Sequence, residues 1–179
     1  DDHIGIGFAL TSDGLAATSL TLNSKALPKA VTMSRNIFGV ELAKGSDGRA
    51  LRDSKVGLTF VKLKEANLKA VPFARFEDVL VGDEVFTFRG DGTLEVMKVR
   101  SVAFPVLAED FVEAAERLVS FLLVDGTLAQ GAPVYTHDGA LLGVSFGDGR
   151  VISAELVQAV LGSIAKQGSV KRTYLGVHG

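Results

Sequence analysis

Hydrophobic and polar residues alternate in many short stretches of this chain, a pattern typical of strands with one buried face. In GIGFALTSDGLAATSL, alternating apolar residues flank the turn residues Ser12, Asp13 and Gly14, which predicts a β-hairpin. Further strands are predicted at AVTM (30–33), IFGVEL (37–42), GLTFVKL (57–63), EVFTFRG (84–90), LEVMKVRSV (94–102), VSFLLV (119–124), PVYT (133–136) and ALLGVSF (140–146). So many short strands, separated by Asp-Gly turns, predict an all-β sandwich or barrel and not β-α-β units.

One stretch has the period of a helix instead. In SAELVQAVLGSIAKQGS (153–169), Ser153 can cap the start and Gly168 can end the helix. The apolar face comprises Leu156, Val157, Val160, Leu161 and Ile164. A shorter helix is predicted over VEAAERL (112–118).

The segment 67–83 contains a Pro and a polar bend, and it is the predicted connection between two β-units of similar size. The chain therefore divides, by prediction, into an N-terminal barrel (1–70), a C-terminal barrel (71–152) and a helix with linker (153–179). Phe residues that alternate with polar positions, among them Phe60, Phe86 and Phe88, are predicted to fill the core.

Composition narrows the function. The 179 residues include 19 basic and 21 acidic side chains, interspersed, for a formal net charge of -2. This balance predicts no nucleic-acid or anionic-membrane partner. With 0 cysteines there are no disulfides, thiol nucleophiles or Cys-ligated metals, and no cofactor is expected.

The order of several motifs then resembles a known family. GIGFALTSDGLAATSLTL is similar to the opening of the HtrA/DegP trypsin-like serine proteases, and LTFVKL (58–63), LVGDEV (80–85) and LAQGAPVYTHDGALLGV (128–144) follow in that family's order. The tail SAELVQAVLGSIAKQGSVKRTYLGV resembles the family's final helix and its entry into a PDZ domain. The resemblance implies a double six-stranded β-barrel with a C-terminal helix and a cleft, an extracytoplasmic (periplasmic) location and an adjacent PDZ domain. It is compatible with a homo-oligomer.

The catalytic residues that the resemblance implies are replaced. Thr21 stands at the position of the base His, Gly57 at that of the orienting Asp, and Gln130 at that of the nucleophilic Ser. None of these side chains can do the work of the group it replaces. Leu128 replaces a Gly of the oxyanion loop, where a side chain makes a positive φ costly. Asp53 could reach the cleft but has no His to orient, and Ser19 and Ser24 are interpreted as ordinary loop hydroxyls.

These substitutions predict a catalytically inactive protease homologue (pseudoprotease) that binds an unidentified protein or peptide, or acts as a scaffold. Two alternatives stay open. One is a hydrolase with an unrecognised base. The other is a reused scaffold that binds a metal ion, for which His137 beside Asp138 is a weak candidate and His3 near the terminus a weaker one.

Overall fold

The structure, a computed structural model, describes residues 6–20, 22, 27, 29–31, 37–53, 57–64, 67–89, 91–103 and 121–167. The first half forms one sheet of six strands: β1 (Gly7–Ala9), β2 (Leu15–Thr18), β3 (Lys29–Val31), β4 (Ile37–Leu42), β5 (Arg52–Asp53) and β6 (Leu58–Leu63). The strand order is β1-β2-β6-β4-β3, and β5 also pairs with β6. Every pairing is antiparallel, so short turns can join consecutive strands.

The predicted hairpin at the start of the chain is confirmed. Phe8 pairs with Ala17, and the amide of Leu10 donates to the carbonyl of Leu15 at 2.8 Å. Gly14 has a φ of 97°, a conformation that favours glycine. The Asp-Gly turn therefore does what its chemistry predicts.

The second half forms a closed barrel of β7 (Glu84–Phe88), β8 (Leu94–Ala103), β9 (Phe121–Val124), β10 (Pro133–Thr136), β11 (Leu141–Gly147) and β12 (Arg150–Ser153). The order around it is β10-β11-β12-β9-β8-β7, with β7 pairing back to β10. Its interior is filled by alternate residues of these strands, including Val85, Met97, Leu122, Val134 and Val151. Closure leaves no strand edge of this barrel unpaired.

The helix α1 (Ala154–Gln167) follows β12 directly. Val157 and Val160 are buried in a cluster that also contains Leu58 and Phe60 of the first sheet and Ile152 of the barrel. Fully burying an aliphatic side chain contributes about 2 kcal/mol. The helix thus packs against both β-units. It begins at Ala154, directly after the predicted cap residue Ser153, which also ends β12. Gly168, the predicted end, lies outside the described residues.

The connection between the two units is held against the barrel. Phe73 forms a parallel bridge with Leu141, whose amide donates to the carbonyl of Pro72 at 2.7 Å. A short 3₁₀ helix, Phe76–Asp78, follows. The predicted bend at 67–83 is therefore a docked segment.

The structure has the predicted fold class. The all-β architecture, a closed six-stranded barrel and the C-terminal helix are confirmed, although the pairings among the described residues close only the second barrel. The strands β5 and β12 were not predicted.

The prediction that Phe86 and Phe88 fill the core is wrong, since both lie half-buried on the outer face of β7 while Val85 and Thr87 point inward. The boundaries at 70/71 and 152/153 stay a prediction, and the short helix at 112–118 lies outside the described residues. No helix in the described ranges is long and apolar enough to cross a membrane.

Candidate functional site

Two of the three positions that the resemblance assigns to the catalytic triad meet in the structure. Gly57, just before β6, has a φ of 72°, and a Cβ placed on it would lie 3.2 Å from both Cγ and Cδ of Gln130 and 3.3 Å from its Nε2. Gly57 belongs to the first unit and Gln130 precedes β10 of the second. The third position, Thr21, lies outside the described residues. The contact joins the two units where the resemblance places the cleft.

A tight turn presents Gln130. The amide of Ala132 donates to the carbonyl of Ala129 at 3.1 Å, and Gly131 between them has a φ of 78°. Glycine at the third position of such a turn is typical of a type II turn. The amide of Gly131 donates to the carbonyl of the fully buried Ser145 at 2.7 Å, and Ser145 donates back to Ala132 at 2.8 Å. The loop is therefore bonded to β11, while Gln130 at its tip is exposed.

Ser19 belongs to the same contact. A Cβ on Gly131 would lie 2.6 Å from Cβ of Ser19 and 3.1 Å from the carbonyl oxygen of Gly57. At such a distance Ser19 or the loop would have to shift, so a side chain at residue 131 is costly here. Sequence reasoning treated Ser19 as an ordinary loop hydroxyl and missed this contact. The signal available was its position two residues before Thr21, on a segment that the resemblance places at the cleft.

Leu128 does not adopt the positive φ whose cost the sequence predicts at this position. The only non-glycine residue with positive φ in the described part of the chain is Asp148, so Leu128 is not in the left-handed region. Its side chain is 5% exposed and packs in the barrel interior with Val134 and Leu142. The strain predicted at this position is thus avoided, and the side chain is a core residue.

No histidine lies beside Gln130 within the described ranges. The one histidine that the structure describes, His137, is exposed in the turn after β10, whereas Gln130 precedes that strand. The four residues of β10, about 13 Å of extended strand, lie between them in the chain. His3 and His178 lie outside the described residues. The half-buried hydroxyl of Ser19 and the exposed amide of Gln130 therefore have no described imidazole to activate them.

His137 lies on an ordinary turn. The hydroxyl of Thr136 donates to the carboxylate of Asp138, and this hydrogen bond lowers the pKa of Asp138. The described residues contain no group of three or more His, Cys, Asp or Glu side chains that could hold a metal ion. The metal alternative therefore rests on the sequence pattern of His137 and Asp138, and on His3, which lies outside the described residues.

Asp53 does not line this contact. It ends β5, is 4% exposed and borders a small apolar pocket with Leu58, Phe60 and helix residues of α1. From the sequence alone, Asp53 could reach the cleft. The structure places it beside the helix.

Comparisons with known proteins identify the fold. No protein-family model matches the sequence, and no curated protein matches it. Among solved structures, Deg5 is similar over 91% of this chain and 84% of its own, with 16% identity and a TM-score of 0.64. The HtrA-type protease AlgW solved with a decapeptide is similar over 97% of this chain, with 19% identity and a TM-score of 0.68. AlgW solved with a tripeptide is similar over 96%, with 19% identity and a TM-score of 0.67.

The chain spans 55% and 59% of those two AlgW chains. These likenesses show that the chain has the fold of HtrA-type, trypsin-like proteases, as the order of its motifs predicts.

Proposed function

We propose that this chain is a catalytically inactive protease homologue whose cleft binds an extended protein or peptide segment. The observation that carries the proposal is the contact of Gln130 with Gly57, at the two positions where the resemblance places nucleophile and orienting carboxylate. A carboxamide cannot attack a carbonyl as a serine alkoxide does, and a glycine cannot hold an imidazole in one tautomer. The fold has been kept while these groups have been replaced.

The rigid loop that presents Gln130 favours a binding function over a purely structural scaffold. The loop 129–132 is tied to β11 by the hydrogen bonds of Gly131 and Ser145, so the exposed amide of Gln130 is held on a rigid support. A carboxamide offers both a donor and an acceptor, which suits the backbone of an extended peptide. AlgW, which shares the fold, has been solved with peptides of three and ten residues.

Inactivity is tested by a fluorophosphonate probe together with casein hydrolysis. We expect no covalent labelling and no turnover by the intact chain. Labelling of a serine, lost on S19A or another Ser→Ala substitution, would show that an unrecognised base operates and would sink the proposal of inactivity.

Binding is tested by fluorescence anisotropy with a labelled library of unstructured peptides. A bulky side chain at the tip of the loop, in Q130W, is expected to weaken binding at least tenfold. The matched control is D47W, since Asp47 is exposed in a turn of the first unit and far along the chain from the loop. Equal loss in both variants, or binding unchanged by Q130W, would place the ligand elsewhere.

The wider context forms part of the same proposal. By the resemblance, the domain is proposed to work outside the cytoplasm, next to a PDZ domain. The divisions 1–70, 71–152 and 153–179 are proposed as the limits of its two barrels and its helical linker.

A further inference from the structure

An apolar surface covers the outer face of the β7–β8 hairpin. The strands pair Glu84 with Lys98, Phe86 with Val96, and Phe88 with Leu94, and these side chains alternate with inward-pointing ones. Val96 is 58% exposed and Leu94 is 52% exposed. We call the outward side chains of residues 84, 86, 88, 94, 96 and 98 the hairpin face.

The aromatic rings of this face hold one another in place. Phe86 stacks on Tyr135 of β10 with ring centroids 5.6 Å apart, and Phe88 meets Phe86 edge to face at 5.9 Å. Such pairs are favourable beyond the area they bury. The rings are therefore ordered before any partner arrives, which lowers the entropic cost of covering them. Contiguous exposed apolar side chains of this kind mark interaction sites.

The rows of the hairpin face are self-complementary. Each row across the two strands joins unlike partners: an acid with a base in one row, and a large ring with a smaller aliphatic side chain in the other two. A two-fold axis that runs along the strands, midway between them, exchanges β7 and β8. Glu84 of one copy then faces Lys98 of a second copy, Phe86 faces Val96, and Phe88 faces Leu94.

We propose that the hairpin face is an isologous interface at which a second copy of this chain docks, about the two-fold axis between β7 and β8. Sheets that pack face to face lie about 10 Å apart with their strands within about 30° of one another, and this arrangement lets the Phe rings fit between the smaller side chains. In the described part of the chain neither Glu84 nor Lys98 forms an ion pair, so both charges are available to the second copy. The inference is independent of what the cleft binds.

Sedimentation equilibrium of the purified chain tests the interface. We expect a concentration-dependent dimer for the wild type. E84K places four basic groups at the interface and K98E places four acidic ones, so each variant alone is expected to dimerise at least tenfold more weakly. An equimolar mixture of the two is expected to form a heterodimer at least as tight as the wild-type dimer, because every facing pair is then opposite in sign.

The mixture separates docking from folding, since the like charges placed side by side on the two strands of one copy affect each variant both alone and mixed. Thermal unfolding of each variant checks that it is folded, and D47K is a charge change away from the face. V96D is expected to abolish the dimer with little loss of stability, because Val96 is already mostly exposed. A wild-type chain that is monomeric up to its solubility limit, a dimer that survives V96D, or a mixture no tighter than its components would each overturn the proposal.

Discussion

The side chain of Gln130 lies against Gly57, within 3.3 Å of the point where a Cβ of residue 57 would stand. The two residues come from different β-units and lie 73 positions apart in the sequence, so only the packing of the barrels brings them together. Each occupies a position that the resemblance assigns to the catalytic machinery. The two residues are therefore neighbours in space, and each affects what the other position can hold.

A double-mutant cycle tests this relationship. G57A is expected to lower the free energy of unfolding by about 1–2 kcal/mol, because it forces a left-handed φ on alanine and crowds Gln130. G139A supplies the cost of φ alone, since Gly139 has a φ of 83° and open space around it. Urea denaturation measures these free energies. Q130A in the G57A background is expected to restore the part of the loss in G57A that exceeds the loss in G139A. Equal costs for G57A with and without Gln130 would contradict the contact.

The packing of Gly131 against Ser19 predicts a larger effect. G131A adds a collision with Ser19 to the cost of a φ of 78°, so it is expected to lose roughly 2–3 kcal/mol of unfolding free energy. S19G in the same background removes the nearest atom and is expected to restore part of the loss. A G131A variant no less stable than G139A would show that the two units are not in close contact here.

Restoring the serine alone is expected to leave the chain inactive. In Q130S the hydroxyl stands at the tip of the loop, but the structure places no described imidazole beside it and Gly57 cannot orient one. Casein hydrolysis by Q130S is expected at the level of the wild type, with no fluorophosphonate labelling. Labelling at residue 130 would reveal a base that the described residues do not show.

Burial beside Phe86 and Phe88 predicts an alkaline transition. Burial raises the pKa of Tyr135 to about 12, above its ordinary value of 10.0. The raised pKa means that the folded state favours the protonated phenol. The protonated phenol contributes on the order of 2 kcal/mol to the free energy of unfolding. This contribution is fully present below about pH 10 and is lost as the pH rises toward 12. Denaturation curves from pH 8 to 12 are expected to show this loss in the wild type and a smaller one in Y135F, which keeps the ring. Identical profiles would rule out Tyr135 as the cause.

The barrel closes through a side-chain hydrogen bond. The hydroxyl of Thr87, 2% exposed, donates to the carbonyl of Pro133 at 2.6 Å and so links β7 to β10 beside a residue that has no amide hydrogen. T87V keeps the shape but leaves that carbonyl without its donor, which is expected to cost about 1–3 kcal/mol. T87S keeps the hydroxyl and is expected to lose less. Chemical denaturation of the two variants decides, and a T87V chain as stable as T87S would mean that the bond contributes nothing.

Local patterns were sufficient for most of the secondary structure. The strands at 37–42 and 133–136 have the predicted bounds, because alternation and Asp-Gly turns act within a few residues. The strand β5 has only two residues, and β12 runs without a break into α1. Neither strand therefore shows a recognisable alternation of apolar and polar residues in the sequence. Alternation also cannot tell the inside of a barrel from its outside, which is why Phe86 and Phe88 were assigned to the core.

The sequence by itself determined that the chain is rich in strands, that an amphipathic helix follows the last of them, and that Thr21, Gly57 and Gln130 stand where the resemblance expects a triad. Those properties depend on residue type and short-range spacing. The tertiary structure decided that Gln130 touches Gly57, that Ser19 closes on Gly131, that Leu128 is buried and that Asp53 lies beside the helix. Contacts between residues far apart in the chain depend on how whole sheets pack, and short-range spacing does not determine that packing.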